Sequence, residues 1–322
     1  MSETAQPRVE PAAQRSAAPR IAVLVPCYNE ATTIATVVRD FLGHLPGATV
    51  YVYDNNSRDG TAEIAAAAGA VVRRETRQGK GHVMRRMFAD IDADIYVMVD
   101  GDDTYDAASA PLLVARLREG PYDLVNGARI DTGKAAYRPG HRFGNRLLTG
   151  LVSNIFGIAS RDMLSGYKAL SRRFVKSFPA LSTGFEIETE LLVHALELNI
   201  PASEVDTPYK ERPAGSESKL RTVQDGLRIL RLITRMVKAE RPLLFFSAMA
   251  TVLALLSIGV AIPVFIDFVE TGLVPRLPSA VLSVGLMLSA IISFFSGLIL
   301  STVTRGRREL KRLRYLAFAP VW

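Results

Sequence analysis

The chain has 322 residues, 48% of them hydrophobic and 22% charged, with a formal net charge of +7. That length accommodates one sizeable α/β domain plus an appendage, and the mixture fits a soluble domain joined to a more apolar part. A single cysteine, Cys27, excludes an intramolecular disulfide and fits a reducing compartment. Basic residues gather beside apolar stretches, between Lys219 and Arg241 and between Arg305 and Arg314, which reads as membrane-surface charge and argues against a nucleic-acid partner.

Residues 1–20 are rich in Ala, Pro and polar groups and predict a disordered tail with no secretory signal peptide. The apolar run at 21–26 predicts a buried strand, and 30–42 reads as a helix. Residues 49–54 alternate as a strand does, 61–68 are Ala-rich and helical, 70–74 read as a strand and 81–89 as a helix. Residues 95–99 form another buried strand and 108–117 another helix. Strand and helix alternate four times, which predicts a mostly parallel sheet with helices on both faces.

In such sheets a ligand sits outside the carboxyl ends of the strands. Three polar turns fall there: Pro26-Cys27-Tyr28-Asn29-Glu30, Asp54-Asn55-Asn56-Ser57 and Asp100-Gly101-Asp102-Asp103. No Gly-x-Gly-x-x-Gly follows the first strand, which argues against a dinucleotide fold. Asp100 and Asp102, one residue apart, can meet one hard cation from a tight turn. Mg2+ and Mn2+ favour such oxygen ligands and also bind substrate phosphates. Such a cation would neutralise charge building on a departing nucleoside diphosphate. An Asp/Gly turn is also ordinary turn chemistry, but its place at a strand end beside two other polar turns favours the metal.

The second half supplies cations and one isolated acid. A strand at 123–128 ends in Arg129, and Arg138, Arg142 and Arg146 follow at spacing four. A further strand near 202–205 precedes Arg212, Ser216, Ser218 and Lys219. Guanidinium groups match phosphate geometry and hydroxyls add hydrogen bonds, so Arg129, Arg142, Arg146, Arg212, Ser216, Ser218 and Lys219 form the candidate phosphate-binding set. A solvated basic surface is the plainer alternative for any one of them. Asp162 precedes Ser165-Gly166-Tyr167 in a loop. Residues 184–190 open a helix with a dense acidic face, which the helix dipole favours. One of Glu186 or Glu188 is expected to contact the sugar or a basic site residue as well. The four histidines show no zinc spacing.

Residues 242–266 and 277–304 are uncharged runs of 25 and 28 residues. At about 1.5 Å per residue either can cross a hydrocarbon core of roughly 30 Å. The connecting loop carries one basic residue, whereas the outer flanks carry seven and six. The positive-inside rule therefore places both flanks, and the large N-terminal domain, in the cytoplasm. Leu227, Leu230, Ile233 and Val237 recur at helical spacing among Arg and Lys, predicting an interfacial amphipathic helix. The expected organisation is a tail at 1–20, a catalytic domain at 21–220, a juxtamembrane helix at 221–241, two transmembrane helices at 242–304 and a basic cytoplasmic tail at 305–322.

The landmarks Val25-Pro26-Cys27-Tyr28-Asn29-Glu30, Asp54-Asn55-Asn56-Ser57-Arg58-Asp59-Gly60-Thr61, Gly79-Lys80-Gly81, Val99-Asp100-Gly101-Asp102, Asp162-Met163-Leu164-Ser165-Gly166-Tyr167 and Arg212-Pro213-Ala214-Gly215-Ser216-Glu217-Ser218-Lys219 run in order along the chain. Together they resemble family 2 glycosyltransferases of the dolichol-phosphate mannose synthase-like branch. That resemblance implies a GT-A fold, a divalent cation (Mg2+ or Mn2+) and an inverting sugar transfer. The donor it implies is a UDP-hexose, UDP-N-acetylhexosamine or GDP-mannose, and the acceptor an undecaprenyl or dolichyl phosphate at the cytoplasmic face of the plasma or inner membrane.

The same resemblance implies that Pro26, Tyr28, Glu30 and Asp54 cradle the nucleoside, with Asn56 and Lys80 in the donor set. Asp100 and Asp102 would hold the diphosphate through the metal. Asp162 would lie near the anomeric carbon as the candidate base, and the cations would serve the acceptor phosphate or donor diphosphate. The family commonly carries an amide side chain where Thr104 stands, which leaves the third metal ligand open, with Asp103 as one alternative. A lipid phosphate, with a second pKa of about 6, is largely ionised already. Asp162 is therefore expected to orient the acceptor or sugar hydroxyls as much as to take a proton. Transfer to another lipid or glycan acceptor is the rival enzyme reading, and a non-catalytic nucleotide-sugar-binding membrane scaffold is the rival from another class. The sole tryptophan is Trp322, so the Q-x-x-R-W sequence of processive synthases is missing. Paired spans permit a homo-oligomer.

Overall fold

The computed structural model describes residues 18–131, 162, 164–184, 186–210, 238 and 241–321. Its seven strands are β1 (Ile21–Cys27), β2 (Thr49–Asp54), β3 (Val71–Arg74), β4 (Ile95–Met98), β5 (Leu124–Asp131), β6 (Lys168–Ser171) and β7 (Ala202–Tyr209). They form one sheet in the order β3-β2-β1-β4-β6-β5-β7. β1 pairs in parallel with β2 and β4, and β5 with β7. β6 alone is reversed, antiparallel to both β4 and β5. The N-terminal end of β6 thus reaches the edge where its neighbours end, and carries the segment before Lys168 to that edge.

Among the described residues the helices packed about the sheet are α1 (Ile34–His44), α2 (Thr61–Ala67), α3 (Lys80–Asp90), α4 (Ala110–Arg118) and α5 (Arg172–Ser177), with α6 (Ile187–Glu197) against α3. With both faces covered, β1 and β4 read as unbroken apolar runs rather than alternating ones. α1 buries Ile34, Val37, Val38 and Phe41, a stripe at helical spacing. This stripe packs on Val23, Val25 and Val97 of the sheet, and each such side chain contributes about 1.5–3 kcal/mol by burial. α5 starts where Ser171 Oγ accepts the amide of Phe174 at 3.2 Å, an N-terminal cap.

The start of α3 lies against residues 180–184. A Cβ on Gly81 would stand 2.3 Å from the Ser182 carbonyl oxygen, and one on Gly79 would stand 2.2 Å from that of Thr183. Arg85 donates to the Ala180, Leu181 and Ser182 carbonyls, while Glu190 accepts the amides of Leu181 and Ser182. Glycine is required here for backbone-to-backbone approach.

The chain divides into two compact units, one of residues 1–220 and 311–322 and the other of residues 221–310. Helices α7 (Pro242–Thr271) and α8 (Leu277–Leu316) carry the two apolar runs, and both are long and apolar enough to cross a membrane. They lie together through small residues. Ser257 Oγ donates to the Ser283 carbonyl at 2.7 Å and Ser293 Oγ to the Phe246 carbonyl at 3.2 Å. A Cβ on Gly297 would stand 2.7 Å from Phe246 Cβ. Small and hydroxylated residues are the usual contact between membrane helices. Helix α8 runs on to Leu316, and residues 311–321 belong to the first of these units. Lys311 pairs with Glu197 at 2.6 Å, and Arg312 donates to the Leu198 carbonyl. Tyr315 donates to the fully buried Asp123, which also accepts from Ser171 and Arg173. The juxtamembrane helix expected at 221–241 lies outside the described residues except for Lys238 and Arg241.

Candidate active site

The polar turns after β1 and β2 are tied to each other. Asn29 N donates to Ser57 Oγ, Arg58 N to Asn29 Oδ1, Glu30 N to Thr61 Oγ1 and Ala31 N to Asp59 Oδ2, all between 2.8 and 3.0 Å. Asn29 and Asn56 hold left-handed backbone angles, φ 54° and 67°, which Asn tolerates better than most residues. Cys27 stands opposite Asp54 in the β1–β2 register, one step beyond Pro26 and Tyr53. Asp54 is buried and accepts the amide of Ser57. Asn56, expected in the donor set, turns its amide to the Thr76 carbonyl and Gln78, so it shapes the β3–α3 turn. Asn55 does the same from inside, donating to Glu75 and Arg77 and accepting Gly79 N at 2.7 Å.

The acidic turn follows β4. Asp102 is buried, and its Oδ1 accepts the Thr104 hydroxyl at 2.6 Å. Thr33 Oγ1 holds the Gly101 carbonyl at 2.7 Å. Gly101 is also packed from below, since a Cβ there would stand 2.7 Å from Cys27 Sγ. Burial, with Glu30 and Asp54 next in weight, pushes the Cys27 thiol well above its usual pKa. Gly166 brings the β6 lead-in against the turn: a Cβ there would lie 2.6 Å from Asp100 Oδ2. Tyr105 OH accepts Gly166 N at 2.7 Å and fixes that approach. Asp103, an alternative third metal ligand, has φ 55° and faces Lys210 at 3.8 Å.

Among the described residues no group of three or more His, Cys, Asp or Glu side chains is arranged to hold a metal. Asp100 and Asp102 are nonetheless hard oxygen donors on one tight turn. A Mg2+ or Mn2+ there fits if phosphate oxygens complete its shell, which is the usual habit of Mg2+ in phosphate-handling sites.

Lys80, at the first position of α3, is nearly buried between two acids. Its Nζ pairs with Asp100 Oδ1 and, at 2.5 Å, with Glu188 Oε1 near the start of α6. Burial pulls its pKa down, but Asp100 and Glu188 outweigh burial and hold it above the ordinary lysine value. Of the two acids weighed at this helix start, Glu188 meets a basic site residue.

Asp162 is buried and meets Arg129. Arg129 Nε and Nη2 donate to Oδ2 and Oδ1 at 2.6 and 2.8 Å, and the Arg129 amide donates to Oδ2 at 3.2 Å. Burial raises the Asp162 pKa, but hydrogen bonds and charge from Arg129 prevail and hold it below the usual carboxylate value. The Arg129 guanidinium also lies over the Tyr209 ring, 5.3 Å from its centroid. Beneath this pair, Asn126 Nδ2 donates to the Asp162 carbonyl at 2.8 Å and Asn126 Oδ1 accepts Lys168 Nζ at 2.5 Å. Asn126 and Lys168 escaped the sequence reading. The available signal was weak: Asn126 follows the apolar Leu124-Val125 pair, and Lys168 directly precedes the apolar Ala169-Leu170 pair. Arg142, Arg146, Arg212, Ser216, Ser218 and Lys219 lie outside the described residues.

The model of glycosyl transferase family 2 matches residues 22–178. Glycosyltransferase AglJ of Haloferax volcanii is 34% identical over 302 residues, covering 92% of this chain and 98% of the relative. The chain belongs to glycosyltransferase family 2. This glycosyltransferase is also 30% identical over 222 residues to the dolichyl-phosphate hexose transferase of Haloferax volcanii, covering 69% of this chain and 95% of that one. Among solved structures, glucosyl-3-phosphoglycerate synthase from Mycobacterium tuberculosis in complex with Mn2+, UDP-glucose and phosphoglyceric acid is similar, with a TM-score of 0.54 at 24% identity, covering 68% of this chain and 79% of that chain. The catalytic unit of the glycosyltransferase thus has the GT-A fold, with its polar turns on the carboxyl edge of the sheet.

Proposed function

We propose that this glycosyltransferase moves a hexose, with inversion, from a nucleoside-diphosphate sugar to a polyprenyl phosphate at the cytoplasmic membrane face. Convergence of the acidic turn, Lys80 and the Asp162–Arg129 pair on one sheet edge carries this conclusion. The dolichyl-phosphate hexose transferase among its relatives and the two apolar helices favour the lipid acceptor. Anchoring places enzyme and acceptor at one surface and raises their effective concentration.

In this reading Asp54 and the turn around Tyr28 and Glu30 receive the nucleoside, and Asp100 and Asp102 would hold a Mg2+ or Mn2+. The cation supplies charge stabilisation to the leaving diphosphate. Lys80 adds a fixed positive charge beside it. An acceptor phosphate oxygen bonds to the anomeric carbon as the bond to the diphosphate oxygen breaks, and the electron pair leaves with the diphosphate. The acceptor is already ionised, so Asp162 serves as a carboxylate that fixes the Arg129 guanidinium plane. The proposed organisation keeps 21–220 as catalytic domain, 221–241 as juxtamembrane helix and 242–304 as spans. Docking of residues 311–321 on the catalytic unit supports both ends of the helical pair on one side of the bilayer.

The test is transfer by the full-length protein in detergent. Radiolabelled UDP-glucose, UDP-N-acetylglucosamine and GDP-mannose are offered with polyprenyl phosphate or diacylglycerol, with Mn2+ or with EDTA. One donor is expected to label polyprenyl phosphate, with EDTA abolishing transfer and the product's anomeric configuration reversed. Label on diacylglycerol alone, or on neither acceptor, overturns the proposal. Loss of turnover in Asp102→Asn with folding intact separates an enzyme from a binding scaffold.

A further inference from the structure

Lys168 is fully buried, which is rare for lysine. It opens β6, the one reversed strand, and the register places it between Met98 of β4 and Asn126 of β5, with Glu204 of β7 opposite Asn126. Three polar residues therefore cross the sheet in one row. Among the described residues the Lys168 ammonium bonds to Asn126 Oδ1, and no carboxylate pairs with it directly. A desolvated ammonium with one neutral partner is expensive, so a hydrophobic residue here would serve a plain core better.

The bond has a directional consequence. An amide side chain can sit either way round, with oxygen and nitrogen exchanged. An ammonium only donates, so it obliges Asn126 to present its oxygen to Lys168. The Asn126 NH2 group must then face the other way, where it donates to the Asp162 carbonyl at 2.8 Å and to Glu204 Oε1 at 3.1 Å. We propose that Lys168 is a positioning residue of the transfer site: its ammonium orients the Asn126 amide, which holds the Asp162 main chain where the carboxylate grips Arg129. This rests on the functional reading above for its link to transfer, but not for the placement of Asp162.

The charges facing Lys168 are Glu188 of α6, Asp162, Arg129 of β5 and Glu204 of β7. Burial is the largest influence and pushes the ammonium down to about 8, with Arg129 adding to it and the three acids opposing it. Deprotonation near that pH leaves a neutral amine that can accept as well as donate, so the one-way constraint on Asn126 is relaxed and only the Asp162 carbonyl and Glu204 then hold the amide's orientation.

Two measurements on the full-length protein test this. The Arg129 amide donates to Asp162 Oδ2, so its hydrogen exchange reports Asp162 placement without any turnover. In Lys168→Met that amide is expected to exchange faster while the amides of β1 and β2 keep their protection. Unchanged exchange at Arg129, or a uniform loss across the sheet, overturns the proposal. In the transfer assay, Lys168→Met is expected to lower kcat roughly a hundredfold, the loss that an ~1 Å misplacement causes, with UDP affinity within about twofold. Lys168→Arg stays charged at all working pH values. It is expected to restore part of kcat and to extend activity to higher pH than the wild type. A wild-type kcat and pH profile in Lys168→Met also overturns it. Absence of transfer by the wild type with every donor refutes the functional reading instead, and the exchange measurement still decides the role of Lys168.

Discussion

Thr104 stands where an amide is common in this family, and its hydroxyl spends itself on Asp102 Oδ1 rather than reaching past it. It orients an acid expected to hold the cation, as outer-shell partners of metal ligands do. Thr104→Ala is expected to weaken cation-dependent UDP binding by about tenfold, read by calorimetry with and without Mn2+. Gly166→Ala forces a methyl to within 2.6 Å of Asp100 Oδ2. It is expected to abolish the same binding while leaving the melting temperature close to wild type, because the clash is confined to one carboxylate.

His194 is a different kind of residue, buried on α6 among Phe174, Phe178 and Ser177. Burial, helped by Lys311, lowers its pKa from 6.5 to about 3. The unfolded chain then binds a proton that the folded chain refuses. Stability is complete above pH 6.5 and is lost as pH falls from there toward 3, by up to about 1.4 kcal/mol per pH unit. Unfolding midpoints between pH 7 and 5 are expected to drop less steeply in His194→Phe than in wild type.

Among the elements, the four leading strand–helix pairs were legible because buried parallel strands are short continuous apolar runs, unlike the helices between them. The polar turns were legible because they fall at strand ends. The reversal of β6 was not: Lys-Ala-Leu-Ser carries no directional signal, and its sense is settled by pairing with β4 and β5. The acids at the start of α6 are expected to meet the sugar or a basic site residue, but that Glu188 finds Lys80, 108 residues away, lies beyond the reach of any local pattern. Gly79-Lys80-Gly81 is a landmark of the family resemblance, and its glycines answer to the 180–184 backbone. Gly81→Ala would place a Cβ 2.3 Å from the Ser182 carbonyl oxygen and 2.8 Å from Thr183 C. Backbone yields poorly, so a loss of about 1–3 kcal/mol is expected, together with displaced Lys80 and weaker UDP binding. A thermal melt at wild-type temperature would contradict this.

At the scale of the whole molecule, residues after the second apolar run return to the catalytic unit. Reading 305–322 as a basic tail caught the charge but not the docking, because the Tyr315–Asp123 contact joins residues 192 apart. Asp123 is fully buried and its carboxylate takes donors from β6, α5 and α8. Tyr315→Phe removes one of these and is expected to destabilise the catalytic unit by about 1–3 kcal/mol, seen as a lower urea midpoint with donor affinity unchanged.

The thiol beneath Gly101 gives the molecule a built-in clock. Cys27 is the sole cysteine of the sequence, 2% exposed, under the turn that carries Asp100 and Asp102. Alkylating reagents can reach it only when the structure packed around it opens, the turn above it included, and its raised pKa makes the closed form still less reactive. The labelling rate therefore counts such openings, with no engineered probe and no background from a second sulfhydryl. Adding Mn2+ with UDP is expected to slow the count, and a rate indifferent to both would mean that neither rests on that turn.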